Sequence, residues 1–280
     1  MRCVGLAVIL LILSSFGAKA SSVLETIEAT GKIKIGYRVD APPFSYRNEI
    51  GEAAGYTVDL CRAVAVLIGK RLKRSVTLDY VPVTAMSRFD AVRSGKVDLL
   101  CGSTTETLSR RKFVDFSVTT FITGASVLFR ANGPRSFKAL GGRTIGVTGG
   151  TTTDRALTIT LKDLSLKARI FRVNDHREGL RALQSGKVDA YFGDRAILMA
   201  QLMKSGETLV KLKLSKRHFS IEPYALAMPL GNTDFRNLVD WALGYLYKSG
   251  NVIKIFRNSF GNAEPSDFMK AMFVINALSD

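Results

Sequence analysis

The stretch Ser94-Gly95-Lys96-Val97-Asp98 stands a second time in the chain as Ser185-Gly186-Lys187-Val188-Asp189. The likeness continues outward on both sides. A helical pattern precedes each copy, Arg88 to Arg93 and Glu178 to Gln184, and each glycine falls where a helix ends in a left-handed residue. A short apolar run follows each copy, Val97 to Cys101 and Val188 to Phe192, and reads as a buried parallel strand. These strands end at Gly102 and Gly193. One shared pentapeptide carries little weight; the same supersecondary unit built twice in the same order carries much more.

Further upstream, Val76–Val81 and Lys167–Val173 read as strands that lead into those helices. Ile33–Tyr37 and Thr144–Thr148 read as opening strands, followed by helices over Val58–Leu72 and Thr152–Leu161. Each half therefore runs strand, helix, strand, helix, strand. That alternation predicts two α/β lobes, each a mostly parallel sheet flanked by helices. Ser126–Arg130 is expected to lead out of the first lobe and Tyr224–Met228 to lead back, followed by helices over Thr233–Lys248 and Val252–Phe260. The expected division is residues 21–128 for the first part of lobe one, 129–225 for lobe two, and 226–280 for the return to lobe one. Two extended crossings side by side form a hinge on which lobes close.

The first twenty residues stand apart. Arg2 supplies a positive start, Val4 to Leu13 is almost wholly apolar, and Ala18-Lys19-Ala20 places small residues where a signal peptidase reads them. The apolar run is too short for a permanent membrane span. Cleavage after about Ala20 and an exported, periplasmic product are expected. No cysteine follows the apolar run, which disfavours a lipid anchor, and no later segment has the length and apolarity of a membrane helix. Cys61 and Cys101 remain in a compartment that permits disulfides, where they either pair or stay two buried thiols. The chain carries 40 Lys and Arg against 24 Asp and Glu, a formal net charge of +16. Export argues against nucleic acid as the partner of that charge, and an anionic small molecule fits it better.

In open α/β sheets, ligands bind beyond the carboxyl ends of the strands. Arg38, Thr84 to Arg88, and Gly102 to Thr105 lie there in lobe one; Gly149 to Thr152, Asp175-His176 and Asp194 lie there in lobe two. Gly149 to Thr152 opens a helix whose first N–H groups suit an anion, while plain threonine capping, worth about 1 kcal/mol, accounts for it equally well. Ser103 to Glu106 fits a capping box, a purely structural use of its hydroxyls. Arg38, Arg88 and Arg110 are expected to face Asp194 across a cleft. A planar guanidinium suits bidentate capture of a carboxylate, worth about 1.5–3 kcal/mol per contact. One arginine would hold an α-carboxylate, Asp194 an α-ammonium, and two arginines a second carboxylate. His176 would add a donor that a nearby carboxylate keeps charged, or would be an ordinary histidine at a helix start.

The chain resembles the polar amino-acid-binding proteins of bacterial ABC importers, and within them the glutamate/aspartate-binding branch. The resemblance rests on Gly36-Tyr37-Arg38, Pro43-Phe44-Ser45-Tyr46, Gly55 to Leu60, Cys101 to Thr105 with Arg110, Val114 to Ser117, Gly150-Thr151-Thr152, Asp175-His176 and Tyr191 to Asp194. It implies the two-lobed type II periplasmic-binding-protein fold with a two-strand hinge, a monomer, a membrane permease as partner, and neither cofactor nor metal. It implies that Arg110 clamps the α-carboxylate with Thr105 and the backbone at Thr151 and Thr152, and that Asp194 accepts the α-ammonium. Arg38, Arg88, Ser103 and His176 would hold the side-chain carboxylate, with Phe44 as an apolar wall. Ala85 departs from that branch, which tends to carry a serine there, and this bears on the choice between glutamate and aspartate.

Two other classes compete. Some proteins of this fold are dehydratases acting on prephenate-like dicarboxylates, and a carboxylate beside His176 suits acid–base work. Against this, the chain has two histidines, His176 and His218, and neither a Ser/His/Asp set nor metal-ligand spacing. A sensory module would use the same clamp, usually fused to a membrane span or signalling domain. A binding protein for another polar amino acid would keep the α-amino-acid clamp and differ around the side chain.

Overall fold

The computed structural model describes residues 22–204 and 211–278. The expected leader and its cleavage site lie outside the described residues. The chain opens with helix α1 (Val23–Thr30), started by a capping box in which Ser22 accepts from the Glu25 N–H and the Glu25 carboxylate returns to the Ser22 N–H. Strand β1 (Lys32–Arg38) follows, then the short antiparallel strands β2 (Asp40–Ala41), β3 (Ser45–Arg47) and β4 (Ala53–Ala54). Helix α2 (Tyr56–Arg71), strand β5 (Thr77–Val83), helix α3 (Arg88–Arg93) and strand β6 (Leu99–Leu100) complete the first unit. Strands β7 (Val114–Thr123) and β8 (Ala125–Arg130) carry the chain onward.

The second unit is β9 (Thr144–Thr148), α4 (Thr152–Asp163), β10 (Arg169–Val173), α5 (His176–Gln184), β11 (Ala190–Asp194), α6 (Arg195–Lys204) and β12 (Leu212–Leu214). Strand β13 (Glu222–Pro229) returns, and α7 (Thr233–Lys248), α8 (Asn251–Ser259) and α9 (Asp267–Ile275) follow. One five-stranded sheet has the order β5-β1-β6-β13-β7 and the other β10-β9-β11-β8-β12. In each, three strands are parallel and the remaining pairings are antiparallel. The protein is thus the expected pair of α/β lobes.

The repeat survives at the level of single bonds. The Val97 N–H donates to Ala91 O at 3.0 Å, and the Val188 N–H to Ala182 O at 3.1 Å. The Asp98 carboxylate accepts the Lys34 N–H of β1 at 2.8 Å, and Asp189 accepts the Thr144 N–H of β9 at 2.9 Å. Gly95 and Gly186 both hold positive φ, +69° and +79°, so a side chain at either position would strain the helix exit. The shared pentapeptide is the device that ends a helix and pins the next strand beside the first.

The crossings lie ahead of where they were expected. β7 ends at Thr123 in one sheet and β8 begins at Ala125 in the other, so Gly124 alone separates the lobes on the outward path. On the return, the Phe219 N–H donates to Ala125 O at 2.8 Å and Glu222 pairs with Thr123. Ser126–Arg130 and Tyr224–Met228 are therefore interior strand. Both are apolar and extended, and local sequence does not separate a crossing strand from a sheet strand.

Cys61 on α2 and Cys101 at the end of β6 form a disulfide across 40 residues. It ties the helix to the strand whose exit loop carries Ser103 and Thr105. Beneath lie Phe44, Tyr56, Phe121, Phe256 and Phe260, packed largely edge to face, with Phe121 stacked on Phe256 and Phe260. Each such buried aromatic contributes on the order of 1.5–3 kcal/mol. Lobe two has its own core around Val127, Ile145, Leu157 and Phe192. Among the described residues, no helix is long and apolar enough to cross a membrane.

Candidate ligand site between the lobes

Most polar groups expected at the site sit near strand ends or helix starts, and most are buried. Arg38 and Arg88 are each 2 % exposed and Arg110 is 9 % exposed. Charged side chains are rarely so enclosed without partners. Three hydrogen bonds join the lobes at this level. The Thr105 and Thr152 hydroxyls lie 3.1 Å apart, Arg88 Nη2 donates to Gly150 O at 3.3 Å, and the His176 N–H donates to Asp40 Oδ2 at 3.0 Å. Gly150 has φ +70°, and a Cβ there would run into Met86 Sδ of the first lobe. Its positive φ favours glycine there, while the exposed Met86 side chain could move aside.

Arg110 follows the β6 exit loop at the start of a 3-10 turn over Arg110–Lys112 and donates through Nη1 to Thr105 O at 2.6 Å. The Phe89 ring of α3 lies under two guanidinium carbons, Arg88 at 4.6 Å and Arg110 at 4.9 Å. This cation–π contact brings two like charges together. Burial first, then the proximity of Arg110 and Arg38, hold Arg88 well below the usual arginine range. Arg88 Nη1 donates to Ala85 O, and its Nε is buried without a hydrogen-bond partner among the described residues.

Across from the arginines, β11 ends at Asp194. Its Oδ1 is buried with no hydrogen-bond partner among the described residues. Burial, reinforced by the neighbouring Glu222 carboxylate, pushes Asp194 up to about 7 despite Tyr224 and Arg110 beside it. An acid so placed is set to accept a cation.

Of the two uses expected of Gly149 to Thr152, the capping is formed. The Thr151 hydroxyl caps α4, accepting the Asp154 N–H at 3.1 Å and donating to Thr148 O at 2.7 Å. The Thr152 hydroxyl meets the Thr105 hydroxyl of lobe one. The capping box expected at Ser103–Glu106 does not form, because no helix begins there. Thr105 instead bridges Tyr224 of β13, and the Glu106 N–H donates to Pro223 O at 2.8 Å. Tertiary pairing with β13 captures the segment that a local motif assigned to a helix. Ser103 is half-buried in this loop, and the neighbouring Gly102 packs against the Arg38 stem.

One expectation needs correction. His176 is neutral: burial outweighs the attraction of Asp40 and moves it down to about 4. Its Nδ1 meets the Tyr191 hydroxyl at 2.8 Å, so a buried phenol satisfies the ring. Phe44 is fully buried in the lobe-one cluster, at 4.7 Å from Phe121 and 5.1 Å from Tyr224. Tyr224, fully buried beside Asp194, is the aromatic nearer the polar groups.

Asp40, Glu222 and Tyr224 escaped the sequence reading. Asp40 had a signal: it stands two residues after Arg38, and alternate residues of an extended chain share a face. Its carboxylate pairs with Arg38 through two bonds of 2.8 Å. Glu222 and Tyr224 had none, since only the antiparallel return of β13 brings them to the first lobe's loops.

Three buried arginines of the first lobe stand near the buried Asp194 carboxylate at the end of β11 in the second. Residues 33–262 match the family of bacterial extracellular solute-binding proteins, family 3. The chain belongs to this family. It is 30% identical over 266 residues to the glutamate/aspartate import solute-binding protein of Salmonella typhimurium, covering 91% of this chain and 88% of that one. It is 34% identical over 251 residues to the L-glutamate/L-aspartate-binding protein of Pseudomonas aeruginosa, covering 88% and 82%. Among solved structures it is similar to an ancestral arginine-binding protein bound to arginine, with a TM-score of 0.74 and 28% identity over 82% of this chain and 99% of that one.

Proposed function

We propose that the protein is the periplasmic binding component of an amino-acid ABC importer, capturing glutamate or aspartate as its lobes close. The observation that carries this is the pairing of opposites between the lobes: Asp194, with an unpartnered oxygen among the described residues, near Arg110 and Arg38. Arg110, Thr105, Thr152 and the N–H groups at the start of α4 take the α-carboxylate, and Asp194 takes the α-ammonium. Arg88, beside Ser103, takes the second carboxylate, with His176 and an Arg38 already engaged by Asp40 shaping that end of the cleft. The named relatives at 30% and 34% identity support the ligand class. The chain is a monomer exported with its leader cut after about Ala20, it hands its ligand to a membrane permease, and it acts by binding without turnover.

The ligand bridges both lobes, so it binds the closed form more tightly and shifts the population toward it. Calorimetry on refolded residues 21–280 with glutamate, aspartate, glutamine and arginine tests the reading. Tight binding of an acidic ligand with weak glutamine supports it. Preference for glutamine or arginine keeps the α-amino-acid clamp and sinks the second-carboxylate site. Binding of none of the four, with turnover of a prephenate-like acid, replaces it with the dehydratase.

A further inference from the structure

The second-carboxylate site has an acid of its own. Asp40, on β2 of the first lobe, is 2 % exposed. Its Oδ1 receives Arg38 Nε and its Oδ2 receives Arg38 Nη2, each at 2.8 Å, a bidentate pair of the strong kind. The same Oδ2 receives the backbone N–H of His176, which opens α5 in the second lobe. Arg38 and the His176 end of α5 are the donors that the side-chain carboxylate of a bound acidic amino acid would use. Asp40 already engages both, taking one edge of the Arg38 guanidinium and the His176 N–H. Although burial alone would raise it, Arg38 and His176 hold Asp40 down at about 2, so it stays ionised.

We infer that Asp40 is a specificity-determining residue of the ligand site: it takes the Arg38 edge that a second ligand carboxylate would take, and so limits the preference for acidic over amide side chains. This rests on the reading that the cleft holds an amino acid with a side-chain acceptor. One guanidinium charge is cancelled within the protein. The distal ligand group is left to Arg88, whose Nε has no partner among the described residues and whose charge has no carboxylate at hydrogen-bonding distance there. A site compensated in this way draws a carboxylate less strongly over an isosteric amide than three free arginines would. The Asp40 link to His176 also joins the lobes, and its loss weakens every ligand alike.

The test is the ratio of glutamine to glutamate Kd, by calorimetry, in the native chain, D40N and D40S, with thermal melts to confirm folding. Removing Asp40 is expected to move the ratio toward glutamate by about tenfold, the equivalent of one charge-assisted contact regained. Equal weakening of both ligands with an unchanged ratio makes Asp40 a lobe-to-lobe tie only and overturns the inference. Should the single variants not fold, R38A/D40A removes the pair together. A ratio kept within about threefold of the native chain supports the inference; collapse of glutamate binding alone shows Arg38 on the ligand and overturns it. Failure of the underlying reading looks different. The native chain then binds no acidic amino acid, and D40S acquiring such binding still supports the role of Asp40, while D40S failing to acquire it removes that role as well.

Discussion

The Thr105 hydroxyl of the first lobe lies 3.1 Å from the Thr152 hydroxyl at the first turn of α4 in the second. Two loops from different halves of the repeat therefore meet at the point where the α-carboxylate is proposed to sit. T105V or T152V removes this link from the closed form alone. Either change is expected to weaken all amino-acid ligands by about fivefold, in line with roughly 1 kcal/mol for a net hydrogen bond. Calorimetry with glutamate and glutamine checks it, and a change confined to one ligand would place Thr105 or Thr152 at the side chain.

Arg110 and Arg88 share the Phe89 ring yet are assigned to different ends of the ligand. R110A is expected to cost more than about a hundredfold in affinity for every α-amino acid, because it leaves a buried carboxylate without its charge-assisted partner. R88A is expected to cost acidic ligands about tenfold more than glutamine. Comparable losses of glutamate and glutamine in both variants would refute the division of roles.

Asp194 has its carboxyl pushed up to about 7 by burial and Glu222. Only the ionised form partners an ammonium. Below that value the competent fraction falls, so affinity is expected to weaken by about tenfold per pH unit. Binding at pH 6 is expected to release a proton, read as a dependence of the calorimetric enthalpy on buffer ionisation. D194N is expected to abolish both the proton release and most of the affinity.

His176 moves the other way, down to about 4 from 6.5. A base with a depressed pKa is neutral when folded and takes up a proton on unfolding between those values. Its contribution is therefore present above about pH 6.5 and is lost as pH falls toward 4, by roughly 3 kcal/mol at the limit. The raised Asp194 and Asp240 run oppositely over much of the same window, so the informative quantity is the difference between the native chain and H176N. Urea unfolding across pH 4 to 7 is expected to show the native chain losing more stability on acidification than the variant.

The Cys61–Cys101 disulfide closes a 40-residue loop. C61A/C101A is expected to lower stability by about 2–4 kcal/mol through the freed denatured chain. Ligand affinity is expected to stay within about threefold, since the loop carrying Ser103 and Thr105 is also held by β13. Denaturant melts and calorimetry separate the two effects.

What the order of residues determined by itself was everything that depends on near neighbours. The repeated Ser-Gly-Lys-Val-Asp ends two helices and pins two strands because helix exit, left-handed glycine and the following strand are all local. Strand β9 and helices α3 and α7 fall where their periodicity places them. Arg38, Arg88, Arg110 and Asp194 were legible because strand ends are where an α/β sheet exposes its loops. Tertiary structure alone decided what a second lobe or a returning strand brings. The antiparallel β13 turned Ser103–Glu106 from a presumed helix start into a bridge and carried Tyr224 and Glu222 to Asp194. It is enclosure that makes His176 neutral and raises Asp194, since a pKa follows desolvation and the charges nearby in space. The pairing of Arg38 with Asp40, though only two residues long, took its meaning from His176, far along the chain, because only closure of one lobe on the other brings that N–H to the same carboxylate.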